Sequence, residues 1–283
     1  MGLFLRRAYK ILFLPAWFIY DAFSVFLLHR FPLKYFDAVL NVGDQINPYL
    51  VSVISKRKPF NVKSQLLRHT VGLGSMFHMA NRKSVIWGTG IISDRRCFRN
   101  KTNCQSVKAV RGHLTEEILI ENGIIAPGSV VLGDPGLLMP MFYQPKSKKQ
   151  YKIGIVPHYV DLNSPLIKEG EEGVVVIDVR QDPESFIDEI SKCEFIVSSS
   201  MHGLILSDSY GIPNKWISFS DKITGGFFKY KDYYSTTSFP NESCIFISAI
   251  GDLRDLIDNI EKYATVKKYL YDENELIQSF PSF

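Results

Sequence analysis

The stretch FIVSSSMHGLIL at residues 195–206 joins an apolar run typical of a buried β-strand to an apolar helical run through a serine-rich turn. Ser198, Ser199 and Ser200 and their backbone N–H groups stand at the predicted N-terminus of the helix, where free N–H groups attract anions. His202, in the first turn, projects toward the same anion and can exchange a proton near neutral pH. The stretch therefore predicts part of an active site, against the alternative of an ordinary serine N-cap beside a surface histidine.

Short apolar strands alternate with helical stretches on both sides of this turn. Strands are predicted at residues 35–40, 84–87, 106–110, 130–132, 152–156, 174–178, 195–197 and 215–217. Helices are predicted from Pro48, from Thr115 as N-cap, over 183–193 and over 253–263. A polar, lysine-rich break at residues 145–150 separates two such groups. This pattern predicts an α/β fold of two parallel-sheet lobes, residues 33–145 and 146–283, with ligands beyond the carboxyl ends of the strands.

Residues 1–32 differ from the rest of the chain. Basic residues flank an apolar, aromatic run from Ile11 to Leu28 that Pro15 and Asp21 interrupt. The run is too long for a signal peptide, and its interruptions disfavour a transmembrane helix. Basic flanks, aromatic content and one internal acid favour an extra helix that lies in the membrane plane. The alternative is a helix packed on the protein.

Composition excludes several classes of protein. Hydrophobic residues make up 46% of the 283 residues and charged residues 22%, which is typical of a globular chain with a core. A formal net charge of only +4 without a basic stripe argues against nucleic-acid binding. Cys97, Cys104, Cys193 and Cys244 lack zinc-site spacing, so four free thiols in a reducing compartment are the simplest interpretation. A disulfide between Cys97 and Cys104 is the alternative. No metal-site motif is present.

Further polar residues follow predicted strands. Arg111, beside Gly112, offers bidentate pairing to a carboxylate or phosphate, or is a surface arginine. In Asn41-Val-Gly-Asp44, the glycine permits close backbone approach, and Asp44 is either a base or a helix N-cap.

Three acidic positions complete the candidates. His158 and Asp161 have the spacing of a base and its orienting partner, or belong to an ordinary loop. Asp134, in a sharp Gly-Asp-Pro turn, either faces the cleft or shapes the turn. Asp178 and Arg180 are a weaker pair that fits an ordinary ion pair.

Six strand-end motifs together resemble the polysaccharide pyruvyl transferases, in particular the exopolysaccharide branch of the succinoglycan type. In chain order the motifs are Asn41-x-Gly-Asp44, Trp87-Gly-Thr-Gly90, Val110-Arg-Gly112, Gly133-Asp-Pro135, Ile155-x-Pro-His158 and the serine–histidine turn through Pro213. The resemblance runs from about residue 35 to about residue 235. It implies two Rossmann-like lobes similar to the GT-B glycosyltransferase fold. It also implies transfer of pyruvate from phosphoenolpyruvate to a sugar as a cyclic ketal, without a cofactor.

The resemblance matches Arg111 and His202 to positions implicated in donor binding and catalysis. Many members carry an arginine two residues before the histidine, where this chain has Ser200. The donor charge is then met by the serine N–H groups and the helix dipole, assisted by Lys222 or Lys229.

The hypothesis divides the candidate residues by role. His202 supplies a proton to the donor methylene, Arg111 holds the donor carboxylate, and His158 or Asp44 is the base. The remaining donor-binding candidates are Ser198, Ser199, Ser200, Gly203, Gly88 and Gly90, and the acceptor-binding candidates are Asn41, Gly43, Asp134 and Asp161.

The expected partners are phosphoenolpyruvate, a saccharide acceptor on a lipid-linked repeat unit of a surface polysaccharide such as a capsule, and a membrane surface. The expected location is the cytoplasmic face of the inner membrane. A nucleotide-sugar glycosyltransferase with a GT-B-like fold is the main alternative, and a non-catalytic membrane-associated scaffold is the second.

Overall fold

The structure, a computed structural model, describes residues 3–93, 104–167 and 170–283, with side chains from residue 13 onward. Two parallel β-sheets flanked by helices form two Rossmann-like lobes, so the predicted α/β class is confirmed. Cys97 lies outside the described residues, and the other three cysteines are free thiols.

The N-terminal lobe contains a six-stranded sheet in the order β2-β1-β3-β4-β5-β6. Its strands are β1 (Phe31–Lys34), β2 (Pro59–Asn61), β3 (His69–Val71), β4 (Ser84–Trp87), β5 (Ser106–Val110) and β6 (Val131–Leu132). Its helices are α1 (Leu3–Phe26), α2 (Val42–Ser55) and α3 (His113–Glu121), with 3-10 turns at Phe77–Met79 and Pro135–Met141.

The C-terminal lobe contains a five-stranded sheet in the order β11-β10-β9-β7-β8. Its strands are β7 (Tyr151–Val156), β8 (Val174–Val176), β9 (Cys193–Ser198), β10 (Asn214–Ser218) and β11 (Ile245–Phe246). The helices that follow β8 are α4 (Pro183–Ser191), α5 (Met201–Ser209), α6 (Phe228–Tyr234), α7 (Ile250–Asp258) and α8 (Glu273–Gln278), with a 3-10 turn at Ile260–Lys262.

One hydrophobic core joins the two lobes. Ile46 of α2 and Trp87 of β4 belong to the same buried cluster as Val156 of β7 and Phe186 of α4. The chain also returns to the first lobe at its end. The indole Nε1 of Trp87 donates to the carbonyl of Leu276 at 3.1 Å. The last segment of the region predicted as the C-terminal lobe therefore packs on the N-terminal lobe.

Three predicted element positions are wrong. The first strand lies at Phe31–Lys34, because Phe31 and Leu33 are buried whereas residues 35–40 are irregular and Leu40 is exposed. Helix α2 begins at Val42, six residues before Pro48, with Asn41 as its N-cap. Helix α3 begins at His113 behind Gly112, so Thr115 is not its cap. Strands β2 and β3, three residues each, were not predicted.

Helix α1 packs on the N-terminal lobe through its second half. The buried carboxylate of Asp21 accepts hydrogen bonds from the backbone N–H of Lys63 at 3.0 Å and of Ser64 at 2.8 Å. The acid that interrupts the apolar run therefore anchors the helix to the loop after β2. No helix in the described part of the chain combines the length and the apolar character that crossing a bilayer requires.

Candidate active site

A cleft of about 930 Å³ lies between the two lobes. It opens at the carboxyl ends of both sheets, where ligands bind in folds of this type. The polar side chains that line it are Asn41, Asp44, Ser75, His78, His158, Tyr159, Ser200, His202, Thr224 and Lys229. Residues from both halves of the chain, including several of those predicted, therefore meet at one site.

The serine turn presents one of its three side chains to this cleft. Ser198 is fully buried, and its hydroxyl donates to the carbonyls of Val156 and Ser200. The hydroxyl of Ser199 accepts the backbone N–H of His158 at 2.8 Å. Only Ser200, the N-cap of α5, lines the cleft, and its side chain forms no capping hydrogen bond. Ser198 and Ser199 thus hold the turn in place, and Ser200 remains as the candidate ligand contact.

His202 lines the cleft from the first turn of α5. Burial, assisted by the positive charges of Lys229 and Arg111, lowers the pKa of its imidazole to about 3, so the ring is neutral at pH 7. Gly43 at the start of α2 packs against the ring, and a Cβ added at that glycine would overlap Nδ1. The absence of a side chain at position 43 therefore allows α2 of one lobe to approach the histidine of the other.

Lys229, on α6, is the lysine or arginine found among the described residues that line the cleft. It forms none of the ion pairs found among the described residues. Burial and the nearby Arg111 lower the pKa of its ammonium to about 8, and Asp44 opposes this shift. Lys222, the other lysine predicted to assist, is exposed and does not line the cleft. A half-buried ammonium that has no carboxylate partner in the described part of the chain is a strong site for a ligand anion.

Asp44 faces the cleft from the first turn of α2. Burial raises the pKa of its carboxyl to about 7, with Lys229 acting in the opposite direction and Asp37 in the same one. The helix N-cap is Asn41, whose side chain accepts the N–H of Gly43 at 3.2 Å. Asp44 is therefore free of the capping role and titrates near neutral pH, as a general base requires.

His158 lines the cleft after β7, but the carboxylate of its predicted partner, Asp161, forms no hydrogen bond with the imidazole. Its Nδ1 accepts the N–H of Val160 at 3.4 Å, which leaves the proton on Nε2. Burial and Lys229 lower the pKa of this imidazole to about 3. Asp161 instead accepts the hydroxyl of Ser220 at 2.6 Å and does not line the cleft. The predicted pairing of the Asp161 carboxylate with the His158 ring is wrong, because that carboxylate binds the hydroxyl of Ser220 instead.

Arg111 has a different environment from the one predicted. Its guanidinium is fully buried and binds Asp232 of α6 at 2.8 Å. The remaining N–H groups donate to the carbonyls of Gly74 and Ile91 and to the hydroxyl of Ser75. Four of the five N–H donors therefore form hydrogen bonds within the protein, and the fifth lies on the nitrogen that forms the ion pair with Asp232. Direct pairing with a donor carboxylate would require Arg111 to give up these partners.

The three glycines predicted to bind the donor instead allow close packing of neighbouring residues. A Cβ at Gly90 would overlap the guanidinium of Arg111, and one at Gly88 would overlap Pro135. A Cβ at Gly203 would meet the hydroxyl of Ser198 at 2.5 Å. None of these three glycines lines the cleft. Asp178 and Arg180 form an exposed ion pair, as predicted for the ordinary alternative.

Asp134 is fully buried at the end of β6 and caps the 3-10 turn that follows, through the N–H of Gly136 at 2.9 Å. It does not line the cleft. Four residues that do line the cleft were not predicted from the sequence: Ser75, His78, Tyr159 and Thr224. Ser75 and His78 follow the unpredicted strand β3, and recognising that strand would have indicated a polar strand end there.

Fold and site together define a two-lobed α/β protein with a polar cleft between its lobes. The chain matches the family model described as polysaccharide pyruvyl transferase over residues 4–221. It belongs to the polysaccharide pyruvyl transferase family, a family of transferases. The resemblance predicted from the strand-end motifs is thereby confirmed.

Two curated proteins are similar to this chain. An uncharacterised protein of Acanthamoeba polyphaga mimivirus is 30% identical over 213 residues, which cover 72% of this chain and 73% of that protein. The succinoglycan biosynthesis protein ExoV of Rhizobium meliloti is 34% identical over 136 residues, or 46% of this chain and 40% of ExoV. A solved structure of a functionally uncharacterised Klebsiella pneumoniae protein matches with a TM-score of 0.41 and 14% identity, over 88% of this chain and all of that chain.

Proposed function

We propose that the protein transfers the pyruvyl group of phosphoenolpyruvate to a saccharide as a cyclic ketal. The observation that carries this proposal is the convergence of Lys229, His158, His202 and Asp44 in the cleft between the lobes. One cation, two neutral histidines and one carboxylate that titrates near pH 7 match a reaction with an anionic donor and two proton transfers. Family membership and the similarity to a succinoglycan biosynthesis protein support the same conclusion.

The donor is held by charge and by backbone N–H groups. Lys229 provides the ionic contact that the resemblance assigns to an arginine at the position of Ser200. The N-termini of α2 and α5 reach the cleft from opposite lobes, at Asn41 and Ser200, and both helix dipoles favour an anion there. The Nε2–H of His158 serves as a neutral donor to a phosphate oxygen. Arg111 contributes its positive charge from behind without contacting the ligand.

The chemistry has two carbon–oxygen bond formations. His202 first takes up a proton and, as the imidazolium, delivers it to the methylene carbon of phosphoenolpyruvate. A sugar hydroxyl forms a bond to the adjacent carbon as it loses its proton to Asp44, and that proton returns to His202 for the next turnover. The carbon–oxygen bond to phosphate then breaks, and inorganic phosphate leaves with the electron pair. A second hydroxyl of the same sugar closes the ring, and its proton balances the phosphate. Asp44 is favoured over His158 as the base, because Nδ1 of His158 already accepts a hydrogen bond from the backbone N–H of Val160.

The test is a direct assay of the purified protein with phosphoenolpyruvate and a synthetic or lipid-linked saccharide. We expect phosphate release in step with a product that carries one pyruvyl ketal, and loss of both in His202→Gln. UDP- and GDP-sugars serve as competing donors in thermal-shift and activity assays. Transfer from a nucleotide sugar in place of phosphoenolpyruvate would support the glycosyltransferase alternative. A protein that binds neither donor would support the scaffold alternative.

We propose further that α1 lies on the cytoplasmic face of the inner membrane and places the cleft near a lipid-linked acceptor. Opposite the buried Asp21, the helix exposes the apolar side chains of Ile19, Phe23 and Phe26, and Leu27 directly after the helix is exposed as well. In-plane binding of such a face scales with its apolar area and with attraction to anionic lipids. The double variant Phe23→Ser, Phe26→Ser should no longer float with anionic vesicles, whereas the matched Leu270→Ser should still float. Equal flotation of both variants would contradict this location.

A further inference from the structure

Two buried polar atoms face each other across the boundary between the lobes. Nε2 of His202, on α5 of the C-terminal lobe, lies 3.9 Å from Oδ2 of Asp134, at the end of β6 of the N-terminal lobe. Both atoms are enclosed, and neither has a hydrogen-bond partner among the described residues. Buried polar atoms are nearly always paired, because an unmade hydrogen bond costs the full desolvation of the group. This facing pair therefore requires an explanation.

Each side chain is held in its orientation by other contacts. The second carboxylate oxygen of Asp134 accepts the N–H of Gly136 at 2.9 Å, which fixes the carboxylate plane. Gly43 packs on the Nδ1 side of the His202 ring. An N–H···O hydrogen bond is typically about 2.9 Å long, so an approach of about 1 Å between the two atoms completes one.

We infer that Asp134 is the positioning residue of His202, through a hydrogen bond from Nε2–H to Oδ2 that forms when the lobes approach each other around the donor. The inference rests on the proposed function. The bond fixes the tautomer with the proton on Nε2 and leaves Nδ1 as the nitrogen that exchanges protons with the substrate. The carboxylate also stabilises the imidazolium that exists while His202 carries a proton.

Charge states at neutral pH agree with this geometry. Burial raises the pKa of Asp134 to about 6, with Arg111 and the Gly136 N–H acting in the opposite direction, so the group is mainly a carboxylate at pH 7.5. The His202 imidazole is neutral there. A neutral imidazole beside a carboxylate places its proton on the nitrogen that faces the carboxylate.

This role differs from the acceptor contact predicted for Asp134 from the sequence. An acceptor contact would act on the KM for the saccharide. A positioning role acts on kcat, because Asp134 does not line the cleft in which the substrates would bind. The ratio of the two effects separates the two roles.

The experiment compares Asp134→Asn with a matched control, Asp182→Asn. Both aspartates are N-caps directly followed by proline, and an asparagine still caps in both. Asp182 lies on α4, away from the cleft. The first readout is kcat and KM for phosphoenolpyruvate and saccharide. The second is the ¹⁵N chemical shifts of the His202 ring in the full chain at pH 7.5 with inorganic phosphate as probe, assigned by their absence in His202→Gln.

We expect the wild-type spectrum to show the Nε2–H tautomer. Asp134→Asn should alter the His202 tautomer shifts and lower kcat at least about 100-fold, the range of a positioned acid–base group, with KM values within about threefold. Asp182→Asn should change neither. The Nδ1–H tautomer in wild type, or an unchanged kcat in Asp134→Asn, would overturn the inference. The wild-type spectrum needs neither the variant's folding nor catalytic turnover, so it tests the pair separately even if pyruvyl transfer is not the reaction.

Discussion

The substitution Asp232→Asn tests the role that the structure gives to Arg111. Asp232 binds the Arg111 guanidinium at 2.8 Å and also accepts the backbone N–H and the hydroxyl of Thr115 at 2.8 and 2.7 Å. Both members of the pair are fully buried. Asparagine keeps the size of the side chain but turns an N–H group toward neighbours that are donors. Breaking one partner of a buried pair typically costs about 3–5 kcal/mol, because the other charge is left without a counterion.

Thermal unfolding at pH 7.5 measures this cost. For a chain of this size, a loss of that magnitude corresponds to a fall in Tm of roughly 6–10 °C. The matched control is Asp178→Asn, which breaks an Asp–Arg pair at 2.7 Å whose side chains are 43% and 53% exposed. Exposed pairs contribute about 0–1 kcal/mol, so this Tm should move by about 2 °C or less. Equal Tm shifts in both variants, or a loss of donor affinity in Asp232→Asn at unchanged Tm, would refute the structural role and favour a direct ligand contact by Arg111.

Three further predictions concern the cleft. Lys229→Met should weaken phosphoenolpyruvate binding about 10- to 100-fold in calorimetry, since a hydrogen bond to a charged group contributes about 1.5–3 kcal/mol. The control Lys231→Met, on the same helix, should bind phosphoenolpyruvate with the affinity of the wild type. Equal affinities of the two variants would remove Lys229 from the donor site. The rate should rise with pH through about 7, because burial raises the pKa of Asp44 to that value and only the ionised carboxylate accepts a proton. Asp44→Asn should lose this pH dependence and most of the activity. It should also raise Tm at pH 8, because a carboxyl whose pKa is higher in the folded than in the unfolded state destabilises the fold when it ionises. A rate that still rises with pH in Asp44→Asn would assign the base to another residue. Gly43→Ala should lower kcat at least about tenfold by displacing His202. Gly251→Ala, whose added Cβ meets nothing within 4 Å, should leave kcat unchanged. A fully active Gly43→Ala would contradict the packing of α2 on His202.

The architecture could be predicted from the sequence because strands and helices are indicated by local patterns of residues. Apolar runs such as Ser106–Val110 and Tyr151–Val156 are bounded by glycine and polar residues, and the structure places strands there. Strands β2 and β3 are three residues long, too short for a period-two pattern. The strand predicted at residues 35–40 was misplaced because its true start, Phe31, adjoins an equally apolar helix. Periodicity alone cannot divide such a run.

The site was predicted only in part, because side-chain partners depend on tertiary contacts. The sequence identified the ends of β7 and β9, and His158 and His202 do line the cleft. It could not show that Asp232, 121 positions away, occupies the guanidinium of Arg111. Nor could it choose between Lys222 and Lys229, because that choice depends on the direction of the loop before α6. The clearest misassignment concerns Gly88, Gly90 and Gly203, whose lack of a side chain serves packing within each lobe.

The structure narrows the set of residues in the serine–histidine turn that can contact a ligand. Ser198 and Ser199 hold the turn in place, Ser200 and His202 line the cleft, and the proposed reaction assigns the proton transfer to His202. The most direct test of this account is pyruvyl transfer in D₂O, followed by NMR of the saccharide product. The account predicts a cyclic ketal whose methyl group carries one solvent deuteron, with no ketal formed by His202→Gln. An undeuterated methyl group, or a saccharide product without the ketal, would contradict it.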